Sequence, residues 1–335
     1  MAIGDSEWLE QTQEPPLDPD LPICDPHHHL WVHRPEPLAY QQYLLPELMA
    51  DLTSGHNVLS TVFIEVSAEY RTDGPDEMRS VGEVEFVENL VNAGQAGSPR
   101  AAAAIIGKAD LKLGNSVRPV LEALASASPD RFRGIRHSVG WDANPEILNR
   151  EIQGALSTQS YRDGARQLAD MGFILENSLY FPQLGELADF ATAIPDLTIV
   201  VNHIGGLLRI GPYANRDDEI LEEWRQGIST LSNCSNVVMK LGGVGQARYG
   251  FDWSRRSKPV GSEELSASLK PLMEYCIEQF GVERCMFESN FPVDKVSYSY
   301  NVVYNAFKRL SIGYSSSERA SLFHDNAVRI YSIAG

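Results

Sequence analysis

Ile23-Cys24-Asp25-Pro26-His27-His28-His29 is the first of eight short apolar, β-branched runs in a chain of 335 residues. The others are residues 58–66, 102–108, 132–139, 172–176, 197–203, 236–241 and 284–288. Stretches with helical period lie between them, at 84–93, 117–127, 161–171, 184–194, 219–231 and 265–280. Near-continuously apolar strands separated by helices belong to a parallel sheet covered on both faces, and eight such units fit a closed barrel. The alternative, an open doubly wound sheet, has little support: no GxGxxG follows the first run and no GxxxxGK[ST] occurs. The expectation is an α/β protein with a single (β/α)8 TIM-type barrel over residues 23–335. It is preceded by a flexible arm, residues 1–22, whose prolines and acidic residues offer no apolar period to pack.

Lys plus Arg number 28 and Asp plus Glu 45, a formal charge of −17. Such a surface repels nucleic acid and anionic membranes, while a local cluster of cations can still admit a small anionic substrate. The four cysteines form no CxxC pair, which suits free thiols in a reducing compartment. The start of the chain has neither a basic region nor an apolar one of the signal-peptide kind, and no apolar run approaches the ~18 residues of a membrane span. A cytoplasmic protein is expected, assembled as a small homo-oligomer.

Side chains alternate along a strand, so Asp25, His27 and His29 are predicted on one face, with Cys24 and His28 on the other. Two imidazoles on one face can chelate one ion. His203 closes the sixth run before Ile204-Gly205-Gly206, giving three imidazoles at strand ends, the number a catalytic zinc site uses while leaving a position for water. At the eighth run Glu288 and Asn290 share parity near the barrel mouth. Glu288 could be a base or a partner orienting a histidine, and Asp294 a base or a loop cap. Lys240, ending the seventh run, is a candidate for polarising a carbonyl. Of the neighbours Arg136 and His137, one points inward to bind substrate. Glu65 and Glu176 are strand-end acids or salt-bridge partners for Arg136 and Lys240. Tyr180 and Arg248 sit in rim loops.

The segments D-x-H-x-H-L-W (25–31), F-R-G-I-R-H (132–137), V-N-H-I-G-G (201–206), V-M-K-L-G-G (238–243) and M-F-E-S-N-F-P-V-D (286–294) together resemble the amidohydrolase superfamily. The resemblance is strongest to the branch of pyrone dicarboxylate, sugar-acid and muconolactone lactonases, with aminocarboxymuconate-semialdehyde-type decarboxylases further off. It implies an amidohydrolase-like barrel whose mouth holds one divalent metal, zinc or manganese, on His27, His29, His203 and the strand-eight position. That position is usually Asp and is Asn290 here, which weakens both metal binding and water activation, so a metal-free site is the alternative. The implied activity is hydrolysis of a small organic-acid or sugar-acid lactone. The alternatives are a decarboxylase or isomerase of a small anionic substrate, or an inactive barrel used for binding.

Overall fold

In the computed structural model, which describes residues 5–34, 40–94, 97 and 99–334, eight parallel strands pair in sequence order. They are β1 (Ile23–His28), β2 (Val58–Ile64), β3 (Arg100–Gly107), β4 (Phe132–Ser138), β5 (Ile174–Ser178), β6 (Ile199–Val201), β7 (Val237–Gly242) and β8 (Cys285–Glu288). The seam between β8 and β1 is held beyond the strand ends. His29 N–H donates to the Phe291 carbonyl (2.8 Å) and Asn290 N–H to that of His27 (3.0 Å). The result is a nearly closed (β/α)8 barrel.

The helices are α1 (Leu45–Leu52), α2 (Val81–Gly94), α3 (Arg118–Ala127), α4 (Gln159–Asp170), α5 (Leu184–Ala193), α6 (Asp217–Ser232), α7 (Ser262–Phe280), α8 (Tyr300–Leu310) and α9 (Asn326–Ile330), and further short ones span Ser6–Leu9, His203–Gly206 and Ser316–Ala320. The sequence reading lacked α1. Pro46 begins it, the Glu47 carboxylate accepts from Leu44 N–H, and Leu45, Leu48 and Leu52 form its buried stripe. Tyr300, Val303, Tyr304 and Phe307 of α8 are buried, so this helix covers the barrel.

Outward strand side chains such as Phe63, Ile105 and Leu241 pack beneath the helices. Inward ones, including Val62, Ile106, Val200, Val238 and Met286, fill the interior with Tyr331 and Ile333 from the chain's end. Each such burial stabilises by roughly 1.5–3 kcal/mol.

Two expectations are corrected. In β1, Asp25 pairs with Thr61 and His28 with Phe63, three residues against two, so a bulge inverts the alternation. Cys24 and His27 both face inward. Asp25 instead faces the helix layer, where the hydroxyls of Ser289 (2.6 Å) and Tyr300 (3.1 Å) donate to it; burial pushes its carboxyl up to about 6. The N-terminal stretch, predicted to be a flexible arm, is docked over its described part, residues 5–22; residues 1–4 lie outside the described residues. Trp8 and Leu9 are buried, the Glu14 carboxylate accepts from Ser262 N–H (2.7 Å), and the Lys308 ammonium donates to the carbonyls of Leu17 (2.9 Å) and Asp18 (2.8 Å). A few anchoring residues suffice, and average composition conceals them.

Candidate active site

A cavity of about 660 Å³ opens at the C-terminal ends of the strands and is lined by His29, Arg136, His203, Arg248 and Asn290 among others. That is the end at which barrel enzymes build their sites. Left-handed backbone at non-glycine residues marks its wall, with φ of 55° at His203, 50° at Ile204 and 58° at Asn290. Such conformations cost about 1–3 kcal/mol each and persist where packing fixes them. Gly243, at φ 67°, is required here because a Cβ would overlap Nδ1 of His203.

Glu288 is fully buried and lies between two imidazoles. Its Oε1 accepts from His203 N–H (3.0 Å) and lies 2.7 Å from His203 Nδ1. Oε2 lies 2.6 Å from His27 Nδ1, without the alignment of a hydrogen bond. Burial pushes Glu288 up to about 7, against the pull of the Lys240 ammonium and the His203 N–H. The ligand atoms of His27, His203 and Glu288 all lie within 4.8 Å of one another. An unaligned buried carboxylate oxygen beside two neutral imidazoles fits a divalent cation.

His29 and Asn290 stand apart from that group. His29 Nδ1 is 2.8 Å from the Ile64 carbonyl, which can only accept, so Nδ1 carries the hydrogen and Nε2 is bare. Asn290 donates through Nδ2 to Asp294 Oδ1 (2.9 Å), which fixes its amide and leaves Oδ1 facing His29 Nε2 at 3.3 Å. Two acceptors therefore face each other across the pocket wall. Asp294 is buried beneath Asn290 and also accepts from Gly245 N–H (2.8 Å) and the Tyr298 hydroxyl (2.7 Å). Desolvation pushes it up to about 7. It is a support for Asn290 and does not reach the cavity as a base would.

All three inward imidazoles are held well below the ordinary histidine value. Burial is the main cause, joined by the positive charge of Lys240 at His27, Arg136 at His29 and Arg248 at His203.

Lys240 was read as a strand-end electrophile, yet it lies below the imidazoles, fully buried. Its ammonium donates to the Pro26 carbonyl (2.8 Å) and to Glu176 (2.8 and 2.9 Å), with His27 Nδ1 at 3.4 Å. Glu176 is thus its ion-pair partner and likewise does not line the cavity. Arg136 points inward, pairs with Glu65 (2.9 Å) and approaches His27 Nε2 (3.4 Å). His137 is engaged by the wall: its Nδ1 accepts from Leu111 N–H (3.3 Å) and its Nε2 lies 3.2 Å from Glu151. Tyr180 donates to the Leu148 carbonyl (2.5 Å), bracing the rim.

The cavity also carries cations that the sequence reading did not single out, Arg34, Lys108 and Arg150. Lys108 ends β3's run and was legible as a strand-end lysine; Arg34 and Arg150 lie in loops whose course the sequence does not give. Arg34, Lys108, Arg150 and Arg248 have no carboxylate within 4 Å among the described residues, and Arg248 Nε is buried without a partner. In a chain of charge −17 this lining is distinctly cationic.

The amidohydrolase family profile matches residues 24–333, and the chain belongs to that family. It is therefore a hydrolase. An uncharacterised protein of Sinorhizobium fredii is 31% identical over 331 residues, covering 94% of this chain and 99% of that one. The L-fucono-1,5-lactonase of Burkholderia multivorans is 24% identical over 232 residues, covering 69% and 72%. A Burkholderia multivorans amidohydrolase solved with bound zinc shares the fold at a TM-score of 0.72 and 21% identity, over 93% of this chain and 99% of that one. Among the described residues no helix is long and apolar enough to cross a membrane.

Proposed function

We propose that the protein opens the ring ester of a small lactone that carries a carboxylate, an organic-acid or sugar-acid lactone. The observation that carries this reading is the bare His29 Nε2 facing Asn290 Oδ1. A water that donates a hydrogen to His29 Nε2, beside Asn290 Oδ1, keeps its lone pairs for attack on the ring carbonyl. Asn290 cannot take a proton, so His29 Nε2 does, with its Nδ1–H remaining on the Ile64 carbonyl. Held neutral by burial, His29 is bare at working pH and passes the proton on to the leaving ring oxygen. The product is a hydroxy acid. A divalent metal bound by His27, His203 and Glu288, zinc by likeness to the Burkholderia structure or manganese, would supply a Lewis acid for the carbonyl. The Arg136 guanidinium adds positive charge on the same side, and Arg248 holds the substrate carboxylate.

The test is turnover of a lactone panel, with and without a carboxylate, in isotopically labelled water. A product heavier by one labelled water supports the reading. Loss of carbon dioxide or an unchanged mass would replace it by decarboxylation or isomerisation. Arg248→Ala should raise KM for the carboxylate lactones about 10–100-fold, with a smaller change in kcat, as expected for losing a charge-assisted hydrogen bond. It should leave neutral lactones unaffected.

A further inference from the structure

The last residues of the chain reach the centre of the barrel from below. Residues at the starts of three strands hold them there: Arg100 donates to the Ala334 carbonyl, Arg133 to the Tyr331 carbonyl (2.8 Å), and the Cys285 carbonyl accepts from Asn326 (2.8 Å). From this anchorage Tyr331, fully buried, enters the interior with Ile333 and packs against Cys24, Val62 and Met286. Its ring lies under the Lys240 ammonium at 5.5 Å, and its hydroxyl donates to Glu176 Oε1 at 2.5 Å.

Glu176 is fully committed. Lys240 approaches both its oxygens, and Oε2 also accepts from Asn202 Nδ2 (2.7 Å). The ammonium in turn ties three strands together: β7 carries it, β5 carries Glu176, and β1 supplies the Pro26 carbonyl and, at 3.4 Å, His27 Nδ1. A chain of polar contacts thus runs from Tyr331 to the His27 imidazole of the active site. Every link is buried, where water cannot replace a lost contact and the surviving charges respond strongly.

We infer that Tyr331 is a positioning residue of the active site. By holding Glu176 it fixes Lys240, and Lys240 fixes the Pro26–His27 backbone and the setting of the His27 ring. Its effect on turnover rests on the hydrolase reading given above; its effect on His27 does not. Without the hydroxyl, the Glu176 carboxylate and the ammonium re-centre on each other, and His27 turns away from Glu288. Misplacement on this scale lowers kcat and leaves substrate binding at the rim alone.

The experiment compares wild type, Tyr331→Phe and Ile333→Ala as full-length proteins labelled with nitrogen-15 in histidine. Tyr331→Phe keeps the ring and its packing and removes only the hydroxyl. It is expected to move the ring-nitrogen resonances of His27 and to lower kcat about tenfold at unchanged KM. Ile333→Ala, which thins the same plug without touching the polar chain, should lower the melting temperature and do neither. The inference is overturned if Tyr331→Phe leaves the His27 resonances in place, or if Ile333→Ala reproduces its effects. Should Tyr331→Phe fail to fold, Tyr331→Met, which fills the same plug with an apolar side chain and likewise removes the hydroxyl, must give the His27 shift. Because the resonances are read without substrate, a protein that opens no lactone but shows the shift would sink the lactonase reading and leave the positioning role standing.

Discussion

At the lower end of the barrel interior Ile174, Val238 and Met286 close around Tyr331 and Ile333; one pleat further along the same strands the inward residues are Glu176, Lys240 and Glu288. The switch from apolar to ionic takes two residues on each of β5, β7 and β8. Its consequence is electrostatic. A floor of hydrocarbon seals the charged layer from solvent below, so the carboxylates and imidazoles above it interact in a medium of low dielectric. This is why Glu288 rises to about 7 while three imidazoles fall. The mouth is open to water and the floor is closed, and each end depends on the other.

The comparison is broken most sharply at Glu288. Glu288→Gln preserves volume but puts a neutral amide where a carboxylate lies between His203 and His27. A fall of about 10²–10³ in kcat/KM is expected, of the size found when one preorganised electrostatic partner is lost. Elemental analysis of the purified variant should show a matching loss of any bound divalent metal. Near wild-type activity would mean that the imidazoles orient themselves.

A smaller effect sharpens the contrast through pH. Burial raises Asp294 from 3.8 to about 7 in the folded state. Between those values the folded protein keeps a proton that the unfolded chain has lost. The stabilising contribution is therefore complete below about pH 4 and is lost as pH rises through 7. Relative to Asp294→Asn, the wild type should gain about 2–4 kcal/mol of unfolding free energy between pH 8 and pH 4. Urea denaturation of both proteins at the two values measures this. A constant difference would show that folding does not shift Asp294, and one that grows with rising pH that its ionised form is the stabilised one.

Much of the barrel was legible because each strand is buried on both faces and reads as a plain apolar run, bounded within two residues of its observed ends. The imidazoles at 27, 29 and 203 were legible as polar residues closing such runs. What the sequence did not give depends on contacts distant along the chain. The bulge after Asp25 is set by its pairing with β2, and it decides that Asp25 faces out while Cys24 faces in. Lys240 and Glu176 have strand-end positions in sequence but lie beneath the imidazoles, where they pair with each other at 2.8 Å. Asn290 looked like a lost aspartate. Its role as an oriented acceptor becomes visible only with Asp294 beneath it and His29 opposite.

The smallest expected effect belongs to His28, flanked in sequence by the two working imidazoles. It points away from them, fully buried, 6.0 Å from the Phe63 ring, and among the described residues neither of its ring nitrogens has a hydrogen-bond partner. Burial lowers it to about 3, so it stays neutral at working pH. A buried polar ring without a partner costs about 1–3 kcal/mol relative to a satisfied one, whereas an aromatic hydrocarbon in the same place pays no such penalty. Phenylalanine is larger, so overpacking offsets part of the gain. His28→Phe should therefore change unfolding free energy by no more than about 1 kcal/mol and leave kcat and KM as they are. A large loss of activity in a folded variant would mean that the outer face of β1 is coupled to the site, and that the division between working and structural imidazoles in this run is drawn in the wrong place.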